Sequence, residues 1–164
     1  MKTIFIKLFI AILLFVSCSK GKSDDQKGVG ENYLSMKVNG VEWVADSEIF
    51  GAFHPQGYNK AILITGSKGP NNADEQAFSL HIYNTSGPGT YKFNYTNTDF
   101  SVMQIGNYTP KDFIIGGSFE FDADVIVTKA SKDPDIVEAT FSGTLKSNTS
   151  EVFYITEGKF YYHE

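Results

Sequence analysis

The stretch Tyr33–Val44, with the sequence YLSMKVNGVEWV, decides the predicted fold because it places two alternating runs around a turn signal. The alternate positions of the first run are apolar: Leu34, Met36 and Val38. Side chains two residues apart share one face of a strand, so these three are expected to face the core. Asn39-Gly40 tolerates the positive φ angles that a two-residue type I′ turn requires. The stretch therefore predicts a β-hairpin whose second strand is Val41–Val44.

The rest of the chain repeats this period-two pattern in short runs that turn residues separate. No window after residue 18 has an apolar stripe of helical period. The further predicted strands are Glu48–Phe53, Lys60–Thr65, Gln76–Tyr83, Thr90–Phe93, Phe100–Ile105, Phe113–Phe121, Asp124–Lys129, Val137–Leu145, Val152–Thr156 and Lys159–Tyr162. Within them, Gly116-Gly117 predicts a bulge or a corner of the sheet. This spacing predicts an all-β domain: an antiparallel β-sandwich or, as the alternative, a closed or partly open β-barrel.

Residues 1–18 have the pattern of an export signal. Lys2 and Lys7 give a positive start, the unbroken apolar run Leu8–Val16 follows, and polar residues return directly after Ser17-Cys18. The apolar run is shorter than the roughly 20 residues that a membrane-spanning helix needs. A signal peptide that merely contains a cysteine, and a short amphipathic helix on the membrane surface, are the alternatives.

The segment Phe15-Val16-Ser17-Cys18 resembles the bacterial lipobox, in which small or apolar residues precede an acceptor cysteine. The resemblance implies that residues 1–17 are a cleaved signal peptide and that Cys18 becomes a lipidated N-terminus, with the membrane as its partner. Each buried CH₂ group contributes roughly 0.8 kcal/mol, and stable anchoring takes more than one acyl chain. Cys18 is also the only cysteine of the chain, so it cannot form an internal disulfide.

The segment that follows the cysteine differs in composition from the rest. Ser19–Asn32 is polar and charged with almost no apolar residue, which predicts a flexible tether over residues 18–32. Residues 33–164 then have the length of a single domain that can build a core without disulfides.

The charge of the chain argues against nucleic acid as a partner. The formal net charge is −5, with 19 acidic and 14 basic residues, and every basic residue is a lysine. Arginine forks dominate bidentate recognition of phosphate and bases, and an acidic surface repels the backbone. Membrane contact is therefore expected to come from the acyl chains and not from the surface of the domain.

Four short motifs of the domain occur in a fixed order: Asn39-Gly40-x-x-Trp43-x-Ala45, Gly89-Thr90-Tyr91, Ser142-Gly143-Thr144 and Ile155-Thr156-x-Gly158-x-Phe160. This order resembles a group of small outer-membrane lipoproteins of Bacteroidota whose β-rich domain has no assigned activity. The resemblance implies an outer-membrane location, on the cell surface or on the periplasmic face. It assigns no catalytic residue.

Trp43, the only tryptophan, is the one candidate for ligand binding among the side chains. It could stack on a sugar ring, but a tryptophan beside a hairpin more often fills the end of a β core, where its N–H finds a carbonyl. We expect the core position.

The other chemically active residues form no recognisable constellation. His54, His81 and His163 lack metal-ligand spacing, and the pairs Asp122-x-Asp124 and Asp133-x-Asp135 lack the further oxygen ligands that calcium requires. A solvated acidic strand edge is the simpler interpretation of the first pair. We predict no catalytic residue, no metal and no cofactor, because nucleophile, phosphate-loop and zinc-protease motifs are absent from the sequence.

Three functional hypotheses follow. The leading one is a lipid-anchored lipoprotein of the cell envelope with a non-catalytic binding or structural domain, partnered by a glycan or an envelope protein. The second is a module that binds glycans or small apolar molecules through Tyr, Phe and Trp43. The third is a hydrolase, which would need a concave site with convergent carboxylates or a Ser-His pair.

Overall fold

The computed structural model describes residues 31–57 and 60–164, and over these ranges the chain forms eleven β-strands. The strands are β1 (Tyr33–Val38), β2 (Val41–Val44), β3 (Ser47–His54), β4 (Ala61–Lys68), β5 (Gln76–Tyr83), β6 (Gly89–Asn94), β7 (Val102–Gly106), β8 (Ile114–Gly116), β9 (Phe121–Ser131), β10 (Ile136–Lys146) and β11 (Val152–His163). The predicted signal peptide, Cys18 and most of the predicted tether lie outside the described residues.

The strands form two antiparallel sheets that pack face to face. The six-stranded sheet has the order β2-β1-β11-β10-β9-β6, and the five-stranded sheet has the order β3-β4-β5-β7-β8. β3 contacts β9, β10 and β11 across the interface between the two sheets. The antiparallel β-sandwich is confirmed, and the sheets do not close into a barrel.

The core lies between the two sheets and is built by the inward positions of the alternating strands. The predicted hairpin is present as β1 and β2, with φ of 50° at Asn39 and 79° at Gly40. The largest fully buried side chains are Trp43, Phe78, Phe160, Leu34, Met36, Ile62, Ile64, Leu80, Ile82, Met103, Ile105 and Ile115. All three inward residues predicted for β1 are buried, which confirms the period-two assignment.

Two predicted strand boundaries are wrong. Phe113–Phe121 is not one bent strand: β8 ends at Gly116, and β9 begins at Phe121 in the other sheet. Gly116 and Gly117 have φ of 74° and 64°, which turns the chain out of the five-stranded sheet. The two glycines therefore mark a change of sheet and not a bulge within one strand.

The last two predicted strands are a single long strand, β11, which contains a bulge. Thr156 and Glu157 together oppose the single residue Ser142 of β10. Glu157 has φ of 55°, which is uncommon for a residue with a side chain. At the next position a Cβ atom on Gly158 would collide with the ring of Phe141, so glycine is required there. The alternation of apolar and polar residues is interrupted at this bulge, which explains why the sequence predicts two strands where the structure has one.

Both ends of the domain lie at the same end of the six-stranded sheet. The side-chain oxygen of Asn32 accepts a hydrogen bond from the backbone N–H of His163 at 2.8 Å, and its amide donates to the His163 carbonyl at 3.3 Å. Tyr33 then pairs with Tyr161 at the start of β1. The Asn39-Gly40 turn lies at the opposite end of the same strand, next to Tyr154.

Candidate functional site

A groove of about 490 Å³ lies over β10 on the outer face of the six-stranded sheet, and we call it the β10 groove. Four neighbouring strands contribute its lining. The lining residues are Thr90, Lys92, Asp124, Val125, Ile126, Thr140, Phe141, Ser142, Glu157, Gly158 and Lys159. The groove is open to solvent along the face of the sheet and is separate from the core.

The depth of the β10 groove comes from a difference in side-chain length. Thr140 and Ser142, the outward residues in the middle of β10, are short. Longer side chains border them: Lys92 and Asp124 on one side and Lys159 on the other. The two bordering strands, β9 and β11, are two interstrand spacings apart, or roughly 9–10 Å at the backbone. This width suits one extended chain.

Ion pairs flank the β10 groove on both sides. Lys92 pairs with Asp124 across β6 and β9, and the Nζ atom of Lys37 lies 2.7 Å from Oε1 of Glu157 across β1 and β11. The bulge in β11 gives Glu157 its extra position between two regular stretches of pairing. The walls therefore carry fixed donors and acceptors of both signs.

The two carboxylates of the β10 groove are poorly placed for acid–base catalysis. The side chains of Asp124 and Glu157 are 57% and 62% exposed, and each is paired with a lysine. A catalytic general acid is usually a carboxyl group that burial keeps protonated near neutral pH.

Two tyrosines lie near the ends of the β10 groove on the same face of β11: Tyr154 is exposed, and Tyr161 is half-buried. Tyr154 pairs with Thr144 at one end, and Tyr161 pairs with Glu138 at the other. The ring of Tyr161 stacks on that of Tyr33 with the centroids 6.0 Å apart and an interplanar angle of 20°. Six residues of β10 separate the two levels, which corresponds to roughly 20 Å along the strand.

Trp43 lies in the core and not in the β10 groove. Trp43 is only 2% exposed, and its ring centroid lies 6.2 Å from that of Phe78. The indole N–H donates to the side-chain oxygen of Gln76 at 2.7 Å, and the Gln76 amide donates to the backbone oxygen of Tyr108 at 2.8 Å. No face of the indole is open to a sugar, so the alternative of ring stacking by Trp43 does not fit this structure.

The three histidines lie apart from one another. His54 ends β3, His81 is on the outer face of β5, and His163 ends β11. Burial lowers the pKa of His81 below its ordinary value of 6.5. Among the described residues no three His, Cys, Asp or Glu side chains are grouped closely enough to hold a metal ion.

The two predicted aspartate pairs have different environments. Asp122 and Asp124 project outward together from β9, as the alternation predicted, but β9 lies between β10 and β6 and is not an edge strand. The interpretation of this pair as a protected strand edge is therefore wrong. Asp135 is buried, and its carboxylate accepts hydrogen bonds from the backbone N–H of Phe53 at 3.3 Å and from Lys132 at 3.1 Å. This second pair belongs to a turn that is attached to β3.

A buried carboxylate that the sequence did not single out joins two loops at the far end of the domain. Asp112 is 4% exposed and accepts a hydrogen bond from the Thr149 hydroxyl at 2.5 Å. Thr109 donates to the other carboxylate oxygen at 3.3 Å. The pKa of Asp112 is lowered, most strongly by the hydrogen bond from Thr149. The hydrogen bonds of Ser147 and Thr109 and the nearby charge of Lys111 act in the same direction. The cluster stabilises the loops before β8 and after β10, and nothing in it points to a ligand.

Comparisons with known proteins find no match: no family model, no curated protein and no solved structure matches this chain. Within residues 31–57 and 60–164, the chain contains no helix of the length and apolarity needed to cross a membrane.

The β10 groove could not be predicted from the sequence, because its existence depends on which strands are neighbours in the sheet. The alternation in Val137–Leu145 does reveal that three successive outward residues, Thr140, Ser142 and Thr144, are short and hydroxyl-bearing. That signal becomes a groove only when β9 and β11 flank β10, and the bulge at Glu157 completes one wall.

Proposed function

We propose that this protein is a lipid-anchored, non-catalytic binding domain of the outer membrane. The lipobox-like segment that ends at Cys18 supports the anchor, and the motif resemblance supports the outer membrane of a bacterium of the Bacteroidota lineage. The observation that carries the binding function is the β10 groove, an open groove on the face of the six-stranded sheet whose lining combines apolar surface with hydroxyl-bearing and charged side chains.

Rigidity supports a binding role for this surface. Every strand that lines the β10 groove is paired within the six-stranded sheet, and β9, β10 and β11 are each paired on both sides. Side chains on such strands are positioned before a ligand arrives, so little conformational freedom is lost on binding. The solvated, lysine-paired carboxylates disfavour the hydrolase hypothesis.

Membrane fractionation tests the anchor. The full chain is expected in the membrane fraction, and Cys18→Ser is expected in the soluble fraction. Ser17→Ala is the matched control, because a small residue remains before the cysteine. Equal membrane association of Cys18→Ser and the unchanged chain would refute lipid anchoring.

Protease treatment of intact and lysed cells then distinguishes the two faces of the outer membrane. Cleavage on intact cells would indicate the cell surface, and protection until lysis would indicate the periplasmic face. Turnover of any ligand by the purified chain would refute the non-catalytic assignment.

A further inference from the structure

We infer that the β10 groove binds a neutral, linear glycan whose chain lies along β10. The inference rests on the proposed binding function and names the ligand class of that same site. Three features of the groove carry it: the balance of its charges, its position on a sheet face and the aromatic rings near its ends.

The four charges within the lining of the β10 groove balance, and Lys37, which pairs with Glu157 from β1, lies outside that lining. Lys92 and Lys159 contribute two positive charges, and Asp124 and Glu157 contribute two negative ones. An anionic chain would meet the carboxylates, and a cationic chain would meet the ammonium groups. Sugar hydroxyls both donate and accept, so a neutral glycan can bond to carboxylates, ammonium groups and hydroxyls alike. Thr140 and Ser142 add such hydroxyls to the floor.

The position of the β10 groove disfavours a peptide. Peptides commonly bind sheets by adding a strand to an exposed edge, where backbone N–H and C=O groups are unpaired. β9, β10 and β11 are interior strands whose backbone groups are already paired with neighbours. Recognition over β10 must therefore use side chains, and these are predominantly hydroxyl-bearing and charged.

Exposed apolar surface completes the match to sugar rings, which have apolar C–H faces as well as hydroxyl edges. Ile126 is half exposed in the groove lining. Tyr154 at one end and the Tyr33–Tyr161 stack at the other offer aromatic rings roughly 20 Å apart, the reach of a short oligosaccharide. Amphipathic rings of this kind combine packing area with a polar hydroxyl.

Affinity electrophoresis of the purified full chain tests the inference. The gels contain, in turn, an α-glucan, a β-glucan, a mannan, a xylan and the anionic polygalacturonate. We expect retardation by at least one neutral glycan, stronger than by polygalacturonate. Absence of retardation in every gel, or retardation by polygalacturonate alone, would overturn the inference.

Matched variants locate the binding surface. Asp124→Asn and Tyr154→Ala are each expected to weaken binding by about tenfold or more. Asp74→Asn, which changes an exposed aspartate in the loop between β4 and β5 of the other sheet, is expected to change binding less than about twofold. Tyr95→Ala is the control for Tyr154→Ala, because the two tyrosines are 56% and 59% exposed and Tyr95 follows the end of β6, outside the groove lining and outside β11. Equal effects of site and control variants would refute binding in the groove.

The failure of this inference and that of the proposed function are distinguishable. If no glycan binds but crosslinking to an envelope protein is lost in Asp124→Asn and retained in Asp74→Asn, the glycan assignment fails and the binding domain stands. If glycan is bound and then cleaved, the ligand class stands and the non-catalytic assignment fails.

Discussion

Replacing Gly51 by alanine tests how the two sheets pack together. Gly51 lies in β3 where this strand passes over β11, and its backbone φ is not in the left-handed region. A Cβ atom at this position would lie 2.8 Å from Cε1 of Phe160 and 2.9 Å from Cβ of Tyr162. Carbon atoms at optimal separation are about 3.5–4.0 Å apart, so the overlap is close to 1 Å. The Tyr162 Cβ is fixed to the backbone of β11 and cannot rotate away.

The expected cost follows from that overlap. Overpacking a core typically costs 1–3 kcal/mol. Alanine also restricts the backbone of the unfolded chain more than glycine does, which stabilises the folded state by roughly 0.5–1 kcal/mol. The difference between these two contributions is about 1 kcal/mol, so we expect Gly51→Ala to lower the free energy of unfolding by about 1 kcal/mol. For a domain of this size that corresponds to a fall in Tm of roughly 4 °C.

Urea unfolding followed by circular dichroism measures the change, with Gly106→Ala as the control. Gly106 is also a strand glycine, but the nearest atom to its added Cβ would be the Ala77 oxygen at 3.8 Å, an ordinary contact. We expect Gly106→Ala to be neutral or to stabilise the domain by up to about 0.5 kcal/mol. An unfolding midpoint of Gly51→Ala equal to that of Gly106→Ala would show that β3 does not pack on β11 as described.

Three further predictions concern buried polar groups. Hydrogen bonds, of which that from Thr149 is the largest, lower the pKa of Asp112. The contribution of Asp112 to stability is therefore present above the ordinary pKa of 3.8 and is lost as pH falls through the lower pKa of the folded state. Asp112→Asn should reduce this dependence of the free energy of unfolding on acid pH in urea titrations, and an unchanged pH dependence would contradict the role of the cluster. Burial lowers the pKa of His81, so the unfolded chain takes up the proton first and stability should fall as pH drops below 6.5. His81→Asn should remove that loss of stability. An equal loss in the variant would mean that another group causes it. Trp43→Phe leaves the side-chain oxygen of Gln76 without its donor and should cost about 2 kcal/mol in urea unfolding, whereas a cost below roughly 0.5 kcal/mol would mean that water replaces the indole N–H.

Local signals made much of the fold predictable. The hairpin of β1 and β2 depends on two turn residues and on alternation within six residues, and both are visible in the chain itself. The inward and outward faces of β5 and β10 were predictable for the same reason, since the period of a strand is fixed by its geometry.

Long-range choices were not predictable from these signals. The order β2-β1-β11-β10-β9-β6 joins strands that are far apart in the chain, and no local pattern states which strands pair. The bulge at Glu157 shifts the register of β11 against both β1 and β10, which are distant from each other in the chain. Trp43 could be assigned to the core from composition, but its partner Gln76 is 33 residues away in the other sheet. The β10 groove combines both kinds of information, which explains why only its short hydroxyl floor could be read from the sequence.

The hydrogen bonds between Asn32 and His163 have a mechanical consequence. Tension from the proposed lipid anchor would reach the domain through Asn32 and run along β1, whose hydrogen bonds to β11 and β2 are perpendicular to that pull. Many bonds would then share the load at once, whereas a pull across the strands would break them one after another. A ligand held over β10 would pull back through β11, the direct neighbour of β1. If the proposed anchor and ligand are right, a pull between membrane and ligand would pass through the directly hydrogen-bonded strands β1 and β11.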